Sequence, residues 1–570
     1  MNIIIRSQFM KFMFVFLSFL LLFSSKMNAQ SLWAGKIGGT LNDRCNAVTS
    51  DASGNIYLTG WFQGTVDFDP GTGTVNMTAA GAYDIFVVKL DPSGTLLWAK
   101  KLGGTGNDIG YAIVVDASGN VYTTGSFIGT ADFDPGTSTY NLTAPGGNAD
   151  AFISKLNSSG NFVWAKKIGD TNVDEGRGIA LDASGNVLTT GYFSSTNTDF
   201  DPGTGTSTIS PGGYNDAYVS KLDASGNFVW AKAFSGPNYE EGNAIATDAS
   251  NNVYVTGLFR SSADFDPGTG TSYLTSLGWK DIFIVRLTSS GTLSWAKRIG
   301  DVNEDEGKAM AVDASGNVYV TGYFNGSPDF DPGTGTTTLT AAGSNDVFVC
   351  KFSTSGTLTW AKSFGTTTEE CGMAIDIDAS GNAYTTGYFY GAVDFDPGAG
   401  TKTLTPSGNN DVFISKLDVS GNYVWAKKMG GTNFDFGTAL TLDNNGNVIT
   451  AGYFQGTSDY DPGAGIFNLT SAGSYDIFVS KSQNIAHISD ADSEENGIKI
   501  YPNPASENTK IVGTNLTSVS VYSVEGKILF TINTHPASEL DIPLQGLDAG
   551  IYFLQISDGK MVYNHKLIVK

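Results

Sequence analysis

Fourteen aspartates stand along this chain in pairs two residues apart: Asp67 and Asp69, Asp132 and Asp134, Asp199 and Asp201, Asp264 and Asp266, Asp329 and Asp331, Asp394 and Asp396, Asp459 and Asp461. Each pair sits in a run Asp-Phe-Asp-Pro-Gly, with Tyr for Phe in the last. Side chains alternate along an extended segment, so both carboxylates of a pair point the same way. The Pro-Gly that follows favours a sharp turn, which can bring backbone carbonyls to the same point. Calcium needs several converging oxygens, which makes the fourteen its candidate ligands. The run is shorter than an EF-hand loop and lacks its terminal Glu. The competing reading is that these carboxylates accept backbone N–H groups and fix the turn.

Two further sets of acids recur. One precedes each repeat's first apolar run: Asp43, Asp108, Asp174, Glu240, Asp305, Glu370 and Asp435. The other precedes the third: Asp84, Asp150, Asp216, Asp281, Asp346, Asp411 and Asp476. Paired carboxylates can hydrolyse glycosides. Other chemistries are closed to this region, because the three histidines, His487, His535 and His565, all lie beyond it. That excludes Ser-His-Asp and Cys-His catalysis within the repeats, and a His-ligated zinc or iron site with them. A sialidase-like site also needs clustered arginines, and Arg44, Arg177, Arg260, Arg286 and Arg298 are scattered. Acids that appear seven times are accounted for by seven copies of one loop. A single asymmetric site is to be sought where the copies disagree, as at Arg44, Arg177, Lys308, Met373, Trp61, Arg260 and Trp279.

The acids are carried by a repeat of about 65 residues. Trp-Ala returns at Trp33, Trp98, Trp164, Trp230, Trp295, Trp360 and Trp425, and Asp-Ala-Ser-Gly-Asn or a close variant begins at Asp51, Asp116, Asp182, Asp248, Asp313, Asp378 and Asp443. In the stretch 307–365, Lys308–Asp313, Val318–Phe324, Asp346–Phe352 and Thr357–Phe364 read as four strands. The polar segment Asn325–Asn345 separates the second from the third, and no stretch has an apolar helical period. The expected fold is all-β, a seven-bladed β-propeller of four-stranded blades. The last copy supplies three strands and the chain's first element is a lone Trp-Ala strand, Ser31–Ile37. Pairing the two would close the ring and leave no open edge.

The tandem segments of the type Asp313–Gly322 resemble a bacterial β-propeller repeat family whose name denotes seven blades, over residues 31–481, within a propeller domain read as 30–481. The resemblance implies the fold and no particular activity. The tight turns before the Trp strands (Asp91–Gly94, Asp223–Gly226, Asp418–Gly421) look like the Asp box of sialidases, a fold element there.

Residues 497–570 lack the repeat, and their short alternating runs suggest a small β-sandwich. They resemble the C-terminal sorting domain of the type IX secretion system of Bacteroidetes, through Ile500-Tyr501-Pro502-Asn503-Pro504-Ala505, Gly550-Ile551-Tyr552-Phe553-Leu554 and Lys566-Leu567-Ile568-Val569-Lys570. The resemblance implies a sorting signal, here Tyr501, Pro502, Asn503, Pro504, Gly550, Tyr552 and Lys570, and a partner in the type IX machinery. It also implies export followed by release or surface attachment. Residues 1–29 read as a secretory signal peptide, with Arg6 and Lys11 before the apolar run Phe12–Phe23. Residues 482–496 read as an acidic linker. No other segment is apolar enough to span a membrane.

The net charge is −23, and the repeats hold 46 acids against 24 bases. Such a surface repels nucleic acid and anionic membranes and suits cations, basic partners or uncharged sugars. Cys45, Cys350 and Cys371 fall at unrelated places in the repeat and are expected as buried thiols. The reading is a secreted or surface-displayed binding or adhesion module for an extracellular glycan or protein. The alternative is a polysaccharide hydrolase or lyase using an Asp/Glu pair on the acidic face. A third option is a structural surface protein with no specific ligand.

Overall fold

The computed structural model describes residues 31–463 and 465–483 and, in the C-terminal part, 499–501, 505, 508–523, 527–548, 550–558 and 562–569. The signal segment, most of the linker, and Pro502, Asn503, Pro504 and Lys570 lie outside the described residues. The chain divides into two units, one spanning Ser31–Pro462 and Ile466–Asn484, the other containing Ile485–Lys570.

The first unit is all antiparallel sheet. Each repeat makes a four-stranded meander, as in Asp43–Ser50, Ile56–Phe62, Asp84–Leu90 and Leu96–Gly104 of the first. The fifth repeat folds as Glu306–Val312, Val318–Phe324, Asp346–Phe352 and Leu358–Phe364, within two residues of the sequence-based bounds. The seventh has Asp435–Leu442, Val448–Asp459 and Asn468–Ser482, and its fourth strand is the chain's own beginning, Ser31–Gly39, paired Trp33 to Lys481 and Ile37 to Ile477.

Second strands such as Val253–Phe259 are buried along their whole length, so they read as continuous apolar runs rather than alternating ones. Each first strand carries a bulge, as between Cys45 and Ala47. Facing it stands a glycine: a Cβ at Gly60 would lie 2.0 Å from the Arg44 carbonyl oxygen, so nothing larger fits.

Successive first strands pack against one another, and Asp435–Leu442 packs against Asp43–Ser50 in the same way. The core lies between sheets. Leu188 and Val219 of the third interdigitate with Val255 and Phe283 of the fourth, and Ile449 and Val479 of the seventh with Leu58 and Phe86 of the first.

The polar segment between second and third strands carries structure of its own. In the first repeat Thr65–Asp67 and Asn76–Thr78 pair as a short hairpin, and the same unit recurs in later repeats. In the seventh it is continuous with the long second and third strands. The hairpin also pairs with the fourth strand of the preceding sheet: Gly103 with Asp132, Gly430 with Asp459, and Gly38 with Asp67.

Among the described residues the second unit has five strands in one sheet, Lys499–Tyr501, Asn508–Tyr522, Ile528–Pro543, Gly550–Ser557 and Val562–Val569. They cover one core that includes Ile511, Val519, Ile542, Leu554 and Leu567. The long Asn508–Tyr522 strand shifts register between Val512 and Leu516.

Candidate functional site

The Asp-x-Asp runs are built from their aromatic residue outward. Phe68, Phe133, Phe200, Phe265, Phe330, Phe395 and Tyr460 are all fully buried. Phe68 sits 5.1 Å from Phe62 and 5.5 Å from Phe86, ring centre to ring centre, which pins the loop to its sheet. With that ring inward, the flanking carboxylates lie along the loop backbone. Asp67 Oδ1 accepts the amides of Asp69 (3.1 Å) and Val75 (2.8 Å). Asp132, Asp199, Asp264, Asp329, Asp394 and Asp459 accept the equivalent pairs. The second aspartates, Asp69, Asp134, Asp201, Asp266, Asp331 and Asp396, each accept the amide of the glycine two residues on. Asp461 is buried. Among the described residues no three His, Cys, Asp or Glu side chains come together to hold a metal ion.

The aspartate of each Asp-Ala-Ser-Gly-Asn turn organises the turn's own amides. Asp51 Oδ1 accepts the amides of Ser53 and Asn55, and Oδ2 accepts Asn55 Nδ2 and the Tyr57 hydroxyl. These donors hold the carboxyl below its usual range despite partial burial. Asn251, where the other copies have Gly, takes the left-handed φ of 63° that this turn requires.

The other two sets of acids are buried between sheets. Asp43 accepts the amides of Gly39 (2.8 Å) and Gln63 (3.0 Å), tying the fourth strand of one sheet to the next, and Asp84 accepts that of Ala80. The acid before each first strand lies beside the acid before the preceding sheet's third strand, under the cover of both sheets. Burial, with Asp476 adding to it, pushes Asp43 up to about 7. Asp108, beside Asp84, rises to about 6, and Asp305, near Asp281, to about 7. A base from the fourth strand completes five of these junctions: Lys36–Asp476, Lys101–Asp84, Lys167–Asp150, Arg298–Asp281 and Lys428–Asp411, at 2.7–3.2 Å.

The copies disagree most where first strands begin and second strands end. Arg44 lies among Tyr453 (4.4 Å), Tyr475 (5.2 Å) and Trp61 (5.5 Å), and Trp61 packs on Tyr83, so this tryptophan is half-buried packing. Arg177 bridges Glu175 (3.2 Å) and Glu241 (2.6 Å) and donates to Asn243, while Lys308 pairs with Glu306 (2.7 Å). Cys45, Cys350 and Cys371 are free, buried thiols, as expected, and Met373 lies beside Cys371.

Arg260 and Trp279 behave differently. Trp279 is 59 % exposed, with the Arg260 guanidinium 4.4 Å above its ring. The Arg260 amide donates to the carbonyl of Tyr239, whose ring stacks on Tyr214 at 5.2 Å and 8°. Tyr214 is 64 % exposed. Tyr214 and Trp279 occupy one slot of successive repeats, filled elsewhere by Ala82, Asn148, Ser344, Asn409 and Ser474. Exposed Leu277 and Val302 border Trp279. Tyr214 and Tyr239 were missed in the sequence, although the slot that Tyr214 shares with Trp279 is a readable signal.

In the C-terminal unit Gly550 opens a strand, the Tyr552 hydroxyl donates to the Asp548 carbonyl at 2.8 Å, and Tyr501 closes the first strand.

Comparison with known proteins agrees with this division. Residues 97–129 and 294–328 match the beta-propeller repeat, and residues 499–570 match the secretion system C-terminal sorting domain. An uncharacterized WD repeat-containing protein, L264, of Acanthamoeba polyphaga mimivirus is 25% identical over 75% of this chain and 36% of its own length. The regulatory protein FlaEY of Caulobacter vibrioides is 24% identical over 78% of this chain and 46% of its own. The chain therefore spans less than half the length of these curated relatives. Among solved structures, a protein of unknown function from Bacteroides caccae is 9% identical at a TM-score of 0.30, covering 61% of this chain and 92% of that one. Sqt1 from Chaetomium thermophilum is 11% identical at 0.37, covering 74% and 96%. At such TM-scores neither likeness bears on fold or function. No helix among the described residues is long and apolar enough to cross a membrane. The chain is an all-β protein carrying beta-propeller repeats and a type IX secretion sorting domain, which addresses it to the cell surface or the extracellular space.

Proposed function

We propose that the repeats form a closed seven-bladed propeller that binds an extracellular neutral glycan on the surface made by Tyr214, Tyr239, Arg260 and Trp279. The observation that carries the reading is the exposure of two aromatic rings in the same slot of adjacent repeats, beside a stacked tyrosine and an arginine. Sugar rings pack their C–H faces on such aromatic planes, and the indole N–H and guanidinium supply hydrogen bonds to hydroxyls. The acidic surroundings favour an uncharged chain over a polyanion. Closure is supported by contacts that the chain ends share with internal repeats. Trp33 Nε1 and Lys481 Nζ both donate to the Pro92 carbonyl, at 3.1 and 3.2 Å, as Trp230 and Lys221 donate to that of Ser289.

The hydrolase or lyase alternative needs an Asp/Glu pair on the acidic face, and Glu175, Glu241 and Glu306 are each paired with a cation. The test is titration of the purified chain with a panel of neutral polysaccharides, followed by Trp279→Ala and Tyr214→Ala. Binding without turnover that weakens about fivefold or more in each variant supports the reading, since stacking on one ring is worth about 1 kcal/mol or more. Turnover would favour the enzyme, and the absence of any binding would leave a structural role.

A further inference from the structure

A second site lies at the other end of the sheets, among the tight turns. A cavity of about 400 Å³ between the fourth and fifth repeats is lined by Asp248, Ser250, Asn252, Arg286, Ser315 and Thr354, among others. Its third-strand residue breaks the repeat: Arg286 stands where the other copies have Lys89, Lys155, Lys221, Lys351, Lys416 and Lys481. Those lysines bind the structure itself. Lys221 pairs with Asp182 at 2.8 Å and donates to the Ser289 carbonyl, and Lys481 pairs with Asp443 at 2.8 Å and donates to that of Pro92. Lys89, Lys155 and Lys351 also reach a turn carbonyl of the next repeat. Arg286 does neither job as well. Its guanidinium is 4.0 Å from Asp248 and 5.7 Å from the Tyr254 ring, and its buried Nε reaches no acceptor.

The one acid in the lining is already saturated. Asp248 accepts the amides of Ser250 and Asn252, the Asn252 side chain and the Tyr254 hydroxyl. The adjacent turn has lost its own acid, since Ser353 replaces the aspartate found at Asp91, Asp223 and Asp418. The cavity therefore offers a guanidinium with unspent donors, ringed by hydroxyls of Ser250, Ser315, Thr354 and Ser355. A planar guanidinium fork matches an oxyanion in a way an ammonium does not. We propose that this cavity binds an anionic oxygen group, a carboxylate or a sulfate, on Arg286.

The proposal is independent of the glycan surface and is tested with the full chain at constant ionic strength. Thermal unfolding is followed against glucuronate, acetate, sulfate and, as the neutral control, glucose. A saturable rise in Tm with at least one anion and none with glucose is expected. Which anion acts separates an acidic sugar from a free carboxylate or an inorganic ion. Arg286→Lys, which restores the residue of the sister repeats, should keep the fold and abolish the rise. An equal rise in Arg286→Lys, an equal rise with glucose, or no rise with any anion would each overturn the proposal.

Discussion

Glu240 and Asp216 face each other as two fully buried carboxyls at a junction between sheets that has no base. The residue that would supply one is Ala233, at the position of Lys36, Lys101, Lys167, Arg298 and Lys428. One other junction lacks a base, with Ser363 at this place beside Asp346 and Glu370. These two are also the junctions where the acid before the first strand is Glu rather than Asp. The longer side chain goes with the missing cation. Each junction then finds neutral donors instead: the Ser235 hydroxyl donates to Asp216, and Thr366 and Thr368 donate to Glu370.

Restoring the base should stabilise the fold. In Ala233→Lys the ammonium would reach Asp216 as Lys167 reaches Asp150 at 2.7 Å. The lysines at this position are about a third exposed, so the gain is expected at about 1 kcal/mol. Chemical denaturation at pH 7 would measure it, and Lys101→Met, which strips the base from Asp84 and Asp108, should shift the midpoint the other way.

Burial and Asp216 push Glu240 up from 4.5 to about 9. The folded chain thus holds a proton there that the unfolded chain releases near its ordinary value. The stabilisation it brings is fully present below about pH 4.5 and is lost as pH rises through about 9. Asp43 and Asp305 titrate earlier, each at about 7. Glu240→Gln, which cannot ionise, should therefore match the parent in Tm near pH 4 and exceed it increasingly as pH rises from about 4.5 to 9. Parallel profiles across that window would refute the assignment.

The four-strand meander was legible because each strand announces itself: Val318–Phe324 is an apolar run after a turn whose Asp313 accepts the Ser315 amide, and Asp346–Phe352 is one that ends at the Ser353–Gly356 turn. The acid junctions were not. Asp84 and Asp108 stand 24 positions apart in polar stretches, and only the packing of one sheet on the next makes them neighbours under cover. The hairpin Thr65–Asp67 with Asn76–Thr78 escaped for a related reason. Its strands are three residues each, too short for a periodic signal, and its anchor Phe68 lies between two aspartates. Trp279 and Arg260 were visible as departures from the repeat. Their exposure, and the stacking of Tyr214 on Tyr239 beside them, required the fold.

A closed ring, as proposed, would make the strand Ser31–Gly39 as protected as its internal counterparts. It pairs on one side with the seventh sheet, and its Gly38 and Gly39 pair with the first hairpin. Amide hydrogen exchange of the whole chain should show Ala34 to Ile37 exchanging as slowly as Ala99 to Leu102 of the first sheet. A terminal strand held only by itself would instead fray. Fast exchange confined to the first strand would mean an open ring.

Calcium has a sharper test in the loops than in the sequence. The first aspartate of each run spends Oδ1 on two backbone amides, and the second spends one oxygen on a glycine amide, Gly71 on Asp69 for example. What remains per loop is chiefly the second oxygen of each carboxylate, fewer ligands than the six to eight that calcium prefers. An ion that binds only the folded state must raise Tm in proportion to its occupancy. With millimolar calcium against chelator, the shift is expected to stay below about 1 °C, on the scale where 1 kcal/mol moves Tm by about 2–4 °C in a domain larger than 150 residues. A larger, saturable rise, lost when Asp67 and Asp69 are changed to Asn together, would instead make the loops metal sites and require calcium in every glycan titration.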